Sequence, residues 1–147
     1  MSKQIYRKFS LPYLITKMSR SILKDYELKT KSLEISPLQG GIIFVVSELS
    51  PISQTEISNI LFIDKVTLSK MLLILEKKKF IEIVKTENRR TKLWKLTDKG
   101  NSLLHKIQTV DRQIESKLKK NIESTGHDCS NLTECLRALL IKTSLND

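Results

Sequence analysis

The sequence predicts a mainly α-helical fold with one small β-hairpin. Four glycines and three prolines among 147 residues leave room for long helices, and 39% apolar residues suffice for a core without disulfides or metal. Apolar residues recur at three- and four-residue spacing, as on one face of an amphipathic helix. Two short apolar runs joined by a polar tip interrupt this pattern and are typical of a hairpin.

The first helix is predicted over residues 9–33 and the second from Ser36 onward. Ser36 is an N-cap residue, Pro37 suits the first turn, and Gln39 completes a capping box. Ser50-Pro51 ends the second helix. The apolar face of the first helix consists of Leu11, Leu14, Ile15, Met18, Ile22 and Tyr26. The stripe of the second consists of Leu38, Ile42, Val45, Val46 and Leu49.

Two helices follow in close succession. A second capping box, from Ser53 to Glu56, opens a short helix, and Asp64 is the N-cap candidate of the next one. The short helix turns Ile57, Ile60 and Leu61 inward. The next helix has one buried face, formed by Leu68, Met71, Leu72 and Leu75. Lysines 77–79 close it at the negative end of its dipole.

A β-hairpin is predicted over residues 80–96. The runs FIEIV and LWKL flank the polar stretch KTENRRTK, residues 85–92. Two adjacent arginines, Arg89 and Arg90, stand at its tip, where no core is available to them. These cations therefore need a role other than packing.

Two more helices are predicted after the hairpin. Thr97 caps a long helix over residues 98–122, and Gly126 interrupts the helical pattern. A last helix covers residues 130–144. The apolar residues of the long helix are Leu103, Leu104, Ile107, Val110, Ile114 and Leu118. Those of the last helix are Leu132, Leu136, Leu139, Leu140 and Leu145.

The order of elements is that of a winged helix-turn-helix with long outer helices. A small central domain cannot bury the stripes of all the outer helices, whereas pairing with a second copy would cover them. We therefore expect a homodimer with three segments: an N-terminal dimerisation helix over residues 1–35, a winged helix-turn-helix DNA-binding core over residues 36–97, and C-terminal dimerisation helices over residues 98–147.

The net charge of +10 is concentrated in the first two thirds of the chain. The cationic excess is +4 for residues 1–50, +5 for residues 51–100 and +1 for residues 101–147. A basic middle segment fits a polyanionic partner. Lysines that only solubilise helix surfaces would give the same count, so the charge alone leaves both explanations open.

Several classes of protein are disfavoured. No apolar run reaches the roughly 18 residues of a membrane span, and the N-terminus lacks the apolar segment of a signal peptide. Cys129 and Cys135, six residues apart on one helix, cannot bridge each other, so we expect reduced thiols in the cytoplasm. The sequence has no nucleophile with a base, no paired carboxylates, no glycine-rich phosphate loop and no metal-ligand spacing. We therefore expect no catalytic activity, cofactor or metal.

The second helix of a helix-turn-helix enters the major groove with its N-terminal residues against base edges. The surface opposite its buried face offers Lys65, Val66, Thr67, Ser69 and Lys70. Hydroxyls and lysines bond to bases or phosphates, and a valine contacts a thymine methyl group. Backbone N–H groups at the start of the preceding helix suit a phosphate, and the residues there are Ser53, Gln54 and Thr55. An ordinary solvated helix face is the alternative.

The run from Ile52 to Gly100 resembles the DNA-binding core of MarR-family regulators. Family phrases of the type L-T-Q-x-E-L-A and D-R-S-T-V-T-R-L-V-D-x-L-E are matched by residues 52–58, ISQTEIS, and by residues 64–76. A wing of the type D-x-R follows, and then L-T-x-x-G, here LTDKG at residues 96–100. Spacing and residue type agree across four consecutive elements.

The resemblance implies a homodimer that binds pseudo-palindromic duplex DNA, with recognition helices in adjacent major grooves and wings in the flanking minor grooves. It places Arg90 at the arginine of the D-x-R pattern, as a minor-groove probe. Arg89, Lys92 and Lys85 are then expected at phosphates. Asn88 replaces the family's aspartate and supplies no charge to orient the arginine.

Many members of this family are repressors released by a small aromatic or lipophilic ligand, or by cysteine oxidation. The ligand pocket implied between the outer helices and the core would involve Tyr13, Met18, Tyr26, Phe44 and Trp94, although core packing explains these residues equally well. Cys129, at the N-terminal end of the last helix, and Cys135 are the candidates for a redox switch.

Three functional interpretations stay open. The first is a homodimeric MarR-like transcriptional regulator that acts as a repressor. The second is a winged-helix module for protein interaction, because Leu73 and Ile74 stand where the family usually has polar residues. The third is a thiol-switched regulator on the same scaffold.

Overall fold

A computed structural model of the chain describes residues 7–84 and 92–144. The helices are α1 (Leu11–Thr30), α2 (Pro37–Leu49), α3 (Gln54–Leu61), α4 (Lys65–Lys77), α5 (Asp98–Glu123) and α6 (Cys129–Ser144). A short 3-10 helix, Lys31–Leu33, follows α1. The strands are β1 (Ile52–Ser53), β2 (Ile81–Val84) and β3 (Leu93–Leu96). The mainly α-helical winged helix-turn-helix predicted from the sequence is confirmed.

Local capping sets the helix starts as the sequence predicted. At the start of α2, the Ser36 hydroxyl accepts the Gln39 N–H at 3.2 Å, and the Gln39 side chain accepts the Ser36 N–H at 2.9 Å. The same reciprocal pair joins Ser53 and Glu56 at α3. These bonds satisfy N–H groups that a helix end leaves without intrahelical partners.

The sheet is antiparallel and has the order β1-β3-β2. The hairpin register pairs Ile81 with Leu96 and Val84 with Leu93. The two-residue strand β1 was not predicted; it pairs Ile52 with Trp94 and so ties the chain before α3 to the hairpin. The sheet thereby fixes the wing against the helix-turn-helix.

The core lies between α2, α3, α4, the sheet and the first half of α5. Its buried apolar residues are Ile35, Ile42, Ile43, Val45, Val46, Ile52, Ile57, Leu68, Leu72, Leu75, Ile81, Trp94, Leu103 and Ile107. The apolar stripes predicted for α2, α3 and α4 are present with two exceptions. Leu49, at the end of α2, and Ile60, on α3, were predicted inward but are exposed. Within the described residues, no neighbouring element covers these two helix positions.

The outer helices pack against each other only in part. In α1 the only buried residue is Thr30, and the described side chains of α6 are all at least partly exposed. Polar contacts join α1 to α5: Lys117 Nζ lies 2.6 Å from Asp25 Oδ2, and Lys29 Nζ donates to Gln113 Oε1 at 2.9 Å. Among the described helices, none is long and apolar enough to cross a membrane.

Candidate nucleic-acid interface

The turn between α3 and α4 is held by hydrogen bonds from both sides. Phe62 adopts a left-handed conformation with φ of 51° and donates its N–H back into α3. The buried Ser58 hydroxyl donates to the carbonyl oxygen of Ile63 at 2.6 Å. Gln54 Nε2 donates to the carbonyl oxygen of Lys65 at 3.0 Å, so the starts of the two helices are tied together.

These contacts change what the start of α3 offers to a partner. The Ser53 side chain is engaged in the capping box with Glu56, and the Gln54 amide holds Lys65. The predicted phosphate contact at these residues depends on backbone N–H groups at the helix start and stays a prediction, while the two side chains hold the helix-turn-helix in place. Thr55 lies on the first turn of α3 and is exposed. The sequence could not show the Gln54 contact, because it depends on the angle between the helices.

Asp64 caps α4 and leaves the outer face of that helix open. Its carboxylate accepts the Thr67 N–H at 2.8 Å, and the hydrogen bonds with Thr67 hold the pKa of Asp64 below its usual range. The inner face, with Leu68, Leu72 and Leu75, is buried. The residues predicted to meet DNA lie elsewhere on the helix: Lys65, Val66 and Lys70 are exposed, while Thr67 and Ser69 are half-buried.

The hairpin is anchored at its base. The Thr97 hydroxyl donates to the carbonyl oxygen of Lys79 at 2.7 Å and accepts the Gly100 N–H at 3.0 Å. A Cβ atom on Gly100 would stand 2.0 Å from the carbonyl oxygen of Phe80, so only glycine allows this approach of α5 to the hairpin. Lys95 and Glu82 form a salt bridge across the strands at 3.0 Å. The wing is therefore built on a fixed base.

The predicted wing-tip residues are only partly within the described residues. Lys92, directly before β3, is exposed. Lys85, Asn88, Arg89 and Arg90 lie outside the described residues. Since Val84 pairs with Leu93, residues 85–92 connect the two ends of the hairpin.

Comparison with known proteins gives a match in structure and none in sequence. No protein-family model and no curated protein sequence matches the chain. A putative MarR-family transcriptional regulator from Listeria monocytogenes, complexed with a 26-mer DNA, is 22% identical and has a TM-score of 0.83, covering 94% of this chain and 91% of that one. The S. aureus MepR–DNA complex is 24% identical with a TM-score of 0.74, covering 88% and 98%. The repressor CouR, bound to a 23-mer DNA duplex, is 18% identical with a TM-score of 0.78, covering 98% and 97%.

The chain has the winged helix-turn-helix fold of MarR-family regulators. Within this MarR-like fold, α3 and α4 are the helix-turn-helix and β2 with β3 is the wing. The resemblance in sequence covers about one third of the chain, whereas the likeness in structure covers nearly all of it.

The five residues predicted to line one pocket are distributed over several places in this fold. Tyr26 and Phe44 lie together on a cavity of about 240 Å³ between α1, α2 and α5. Met18 lines an apolar groove between α1, α5 and α6, and Tyr13 lies on the outer side of α1 against Phe9, with ring centroids 4.4 Å apart. Trp94 is buried in the core, because alternation along β3 turns it inward.

The cavity at Tyr26 has one polar wall. The Tyr26 hydroxyl donates a short hydrogen bond to Asp111 Oδ1. Burial, together with the neighbouring carboxylate of Asp111, raises the pKa of the Tyr26 hydroxyl well above its usual range, so the phenol stays neutral. The remaining wall is mostly apolar, with Leu23, Phe44 and Ile107 among its residues.

The two cysteines are free thiols on α6. Cys129, the first residue of the helix, is half-buried, and Cys135 is exposed. They face different sides of the helix, as their spacing predicted. In the described part of the chain, no group of three or more metal-ligating side chains occurs.

Proposed function

We propose that the protein is a transcriptional repressor that binds pseudo-palindromic duplex DNA as a homodimer. The observation that carries the proposal is the outer face of α4, which is exposed, bears Lys65, Lys70 and Lys77, and belongs to the second helix of a helix-turn-helix. Three similar structures are complexes with DNA, which supports the same partner here. Cations on such a face complement the phosphate backbone.

In this proposal α4 enters the major groove and the wing enters the minor groove. Lys65, Val66, Thr67, Ser69 and Lys70 meet base edges or phosphates, and Ser53, Gln54 and Thr55 bring the start of α3 to the backbone. At the wing, Arg90 is the minor-groove probe, and Asn88 lies two residues before it in the sequence. The remaining wing cations, Lys85, Arg89 and Lys92, contact phosphates.

The second copy covers the outer helices. An apolar groove of about 390 Å³ lies between α1, α5 and α6 and is lined by Leu14, Ile15, Met18, Ser19, Ile22, Leu23, Leu118, Ile122, Leu132 and Leu136. Contiguous apolar surface of this kind marks an interaction site. We assign residues 1–35 and 98–147 to dimerisation and residues 36–97 to DNA binding.

The cavity at Tyr26 is the proposed effector site. It joins α1 and α5 to α2, so a small aromatic or lipophilic ligand between them would change how the dimerisation helices sit on the DNA-binding core. The ligand would shift the protein between arrangements only through its different affinity for them. Phe44→Trp, which places a larger side chain on the wall of the cavity, should weaken release by any such ligand while DNA binding persists.

Selection of duplexes from a random pool tests the function. We expect enrichment of a two-fold symmetric site with half-sites about one helical turn, or roughly 34–36 Å, apart. Affinity should fall steeply with salt concentration, as it does when cations replace counterions on DNA. A pool without any enriched motif would contradict the proposal and favour a protein-interaction module.

Variants of α4 test the same face. Thr67→Ala and Lys70→Ala should each weaken binding of the selected duplex by about 1–3 kcal/mol if the side chains touch bases. Lys120→Ala is the matched control, since it lies 22 residues into α5, about 33 Å along the helix axis from its start. Equal losses on random duplex would reassign Thr67 and Lys70 to phosphate contacts.

The wing is tested by Arg90→Ala. The variant should bind the selected duplex more weakly and retain its dimeric mass in sedimentation equilibrium, since the proposal places Arg90 in contact with DNA and outside the dimer interface. Unchanged affinity at physiological salt would remove the minor-groove role.

The thiol-switch alternative is tested in the same assay. Peroxide should leave DNA binding unchanged if Cys129 and Cys135 are inert. If peroxide releases the DNA, Cys129→Ser and Cys135→Ser identify the responsive thiol.

A further inference from the structure

The outer face of α4 carries exposed apolar side chains beside its lysines. Binding to phosphates accounts for the lysines but not for the apolar residues. Val66, Lys70, Leu73 and Lys77 follow one another at spacings of four, three and four residues, so they form a single line along the helix. Val66 is 66% exposed and Leu73 is 60% exposed. We call this line, Val66, Lys70, Leu73 and Lys77, the outer line of α4.

Core packing does not require either apolar residue of the outer line. The inward face of α4 is complete without them, because Leu68, Leu72 and Leu75 are fully buried or nearly so. Val66 and Leu73 are seven residues apart, which is 20° short of two full helical turns, so both side chains point in nearly the same direction. A face meant only for water would carry polar residues at both positions.

Charge complementarity identifies the occupant of this face. Lys70 lies between the two apolar residues and Lys77 follows them, and none of the four positions carries a carboxylate. A cationic face with apolar side chains at fixed intervals fits a polyanion that itself presents apolar groups. In the major groove the C5-methyl group of thymine is such a group, and it stands at the base edge.

We propose that Val66 and Leu73 each contact a thymine methyl group, so the protein selects half-sites with two thymines at a fixed separation. The inference rests on the proposed function and adds what the operator must contain. Seven residues correspond to about 10.5 Å along the helix axis. Because a helix that follows the groove lies obliquely to the DNA axis, along which each base pair rises roughly 3.4 Å, this length spans at most about three base-pair steps. Lys70 and Lys77 contact phosphates or guanines beside these thymines.

Replacement of thymine by uracil tests the contact directly. Uracil pairs with adenine as thymine does and lacks only the C5-methyl group. In the duplex selected from a random pool, each thymine of both half-sites is replaced in turn and the Kd is measured. Loss of one buried methyl group should weaken binding about threefold to fivefold in each half-site. Two positions at most about three base pairs apart should respond.

Variants assign each methyl group to its side chain. In Val66→Ala the uracil effect should disappear at one of the two positions and persist at the other, and Leu73→Ala should give the converse. Such a double-mutant cycle isolates the contact from general losses of affinity. Leu49→Ala is the matched control, since this leucine is 53% exposed and lies on α2; it should leave both uracil effects unchanged.

Several outcomes of the uracil and variant measurements would overturn the inference. Binding that is indifferent to uracil at all positions, or a selected half-site without thymine, overturns the inference while the proposed function stands. Uracil effects that persist in both variants also overturn it, because other groups then contact the methyls. A Leu73→Ala protein that binds every duplex like the parent overturns the contact assigned to Leu73. The proposed function itself fails only if no duplex is enriched.

Discussion

The central winged helix-turn-helix and the outer helices bury their apolar stripes to very different degrees. Ile42 in the centre is completely buried, whereas Met18 on α1 is 50% exposed and Leu136 on α6 is 42% exposed. All three lie in stripes of the same three- and four-residue spacing. The spacing therefore identifies which face of a helix is apolar, and the length of chain available to cover it determines whether one copy can bury it.

The comparison also separates two kinds of exposed apolar surface. On the outer helices the exposed residues are contiguous and line a groove with almost no polar wall. On α4 they alternate with lysines along one line. The first arrangement suits a second apolar surface, and the second suits a charged partner with apolar groups.

The largest effect is expected in the core. Ile42→Ala should lower the free energy of unfolding by about 2–5 kcal/mol, because it leaves a cavity among closely packed side chains. Chemical denaturation at several protein concentrations measures the loss, which should be the same at each. Leu49→Ala, on the same helix but exposed, is the control and should cost far less. Equal losses would contradict the contrast between buried and exposed positions.

A smaller and different effect is expected on α6. Leu136→Ala should weaken dimerisation by about 1.5–3 kcal/mol for each copy, since each copy loses one buried side chain at the interface. Sedimentation equilibrium measures the dissociation constant. Ile141→Ala, on the opposite side of α6, is the control. A monomeric parent protein would contradict the proposed homodimer.

Tyr26 tests how the outer helices α1 and α5 pack against each other. Tyr26→Phe removes the hydrogen bond to Asp111 across α1 and α5 and should cost about 0.5–1.5 kcal/mol of unfolding free energy. Tyr13→Phe, on the exposed side of α1, is the control and should have no effect. A spectrophotometric titration gives a second measure: because the pKa of Tyr26 is raised, its phenol should ionise at higher pH than an ordinary tyrosine. If Tyr26 ionised with the pKa of an ordinary tyrosine, the packing of α1 against α5 would be contradicted.

Local patterns made much of this fold predictable. The capping residues Ser36, Ser53, Asp64 and Thr97 marked the helix starts, because each cap needs only residues within three positions. The winged helix-turn-helix order followed from these starts. Features that depend on pairing between distant residues could not be predicted in this way. Strand β1, for example, has two residues and is defined only by its pairing with β3.

The candidate sites show the same limit. The outer face of α4 was predictable because helical periodicity alone separates it from the buried face. The pocket could not be predicted in the same way. Trp94 and Tyr26 are both aromatic residues within apolar patterns, yet Trp94 lies in the core and Tyr26 donates a hydrogen bond to a carboxylate 85 residues away. Sequence spacing within one element cannot distinguish these environments.

The smallest expected effect concerns the cap of α3, which belongs to the central region. Hydrogen bonds from Ser53 hold the pKa of Glu56 below its ordinary value of 4.5. The unfolded state therefore binds more protons near that pH, and the stability that Glu56 contributes is present above pH 4.5 and is lost as pH falls through the lowered pKa. Solvent screens this exposed carboxylate, so the contribution should stay below about 1 kcal/mol.

Glu56→Gln isolates this contribution, because the amide oxygen can still accept the Ser53 N–H while the charge is lost. Denaturation between pH 3 and 7, roughly the range where carboxylates titrate, should show a shallower loss of stability at low pH in the variant than in the parent. Part of the acid slope should remain, because the pKa of Asp64 is lowered in the same direction. Glu48→Gln is the control. Since α3 belongs to the core, the dimer dissociation constant should not change; a change would show that the two regions are coupled through the start of the helix-turn-helix.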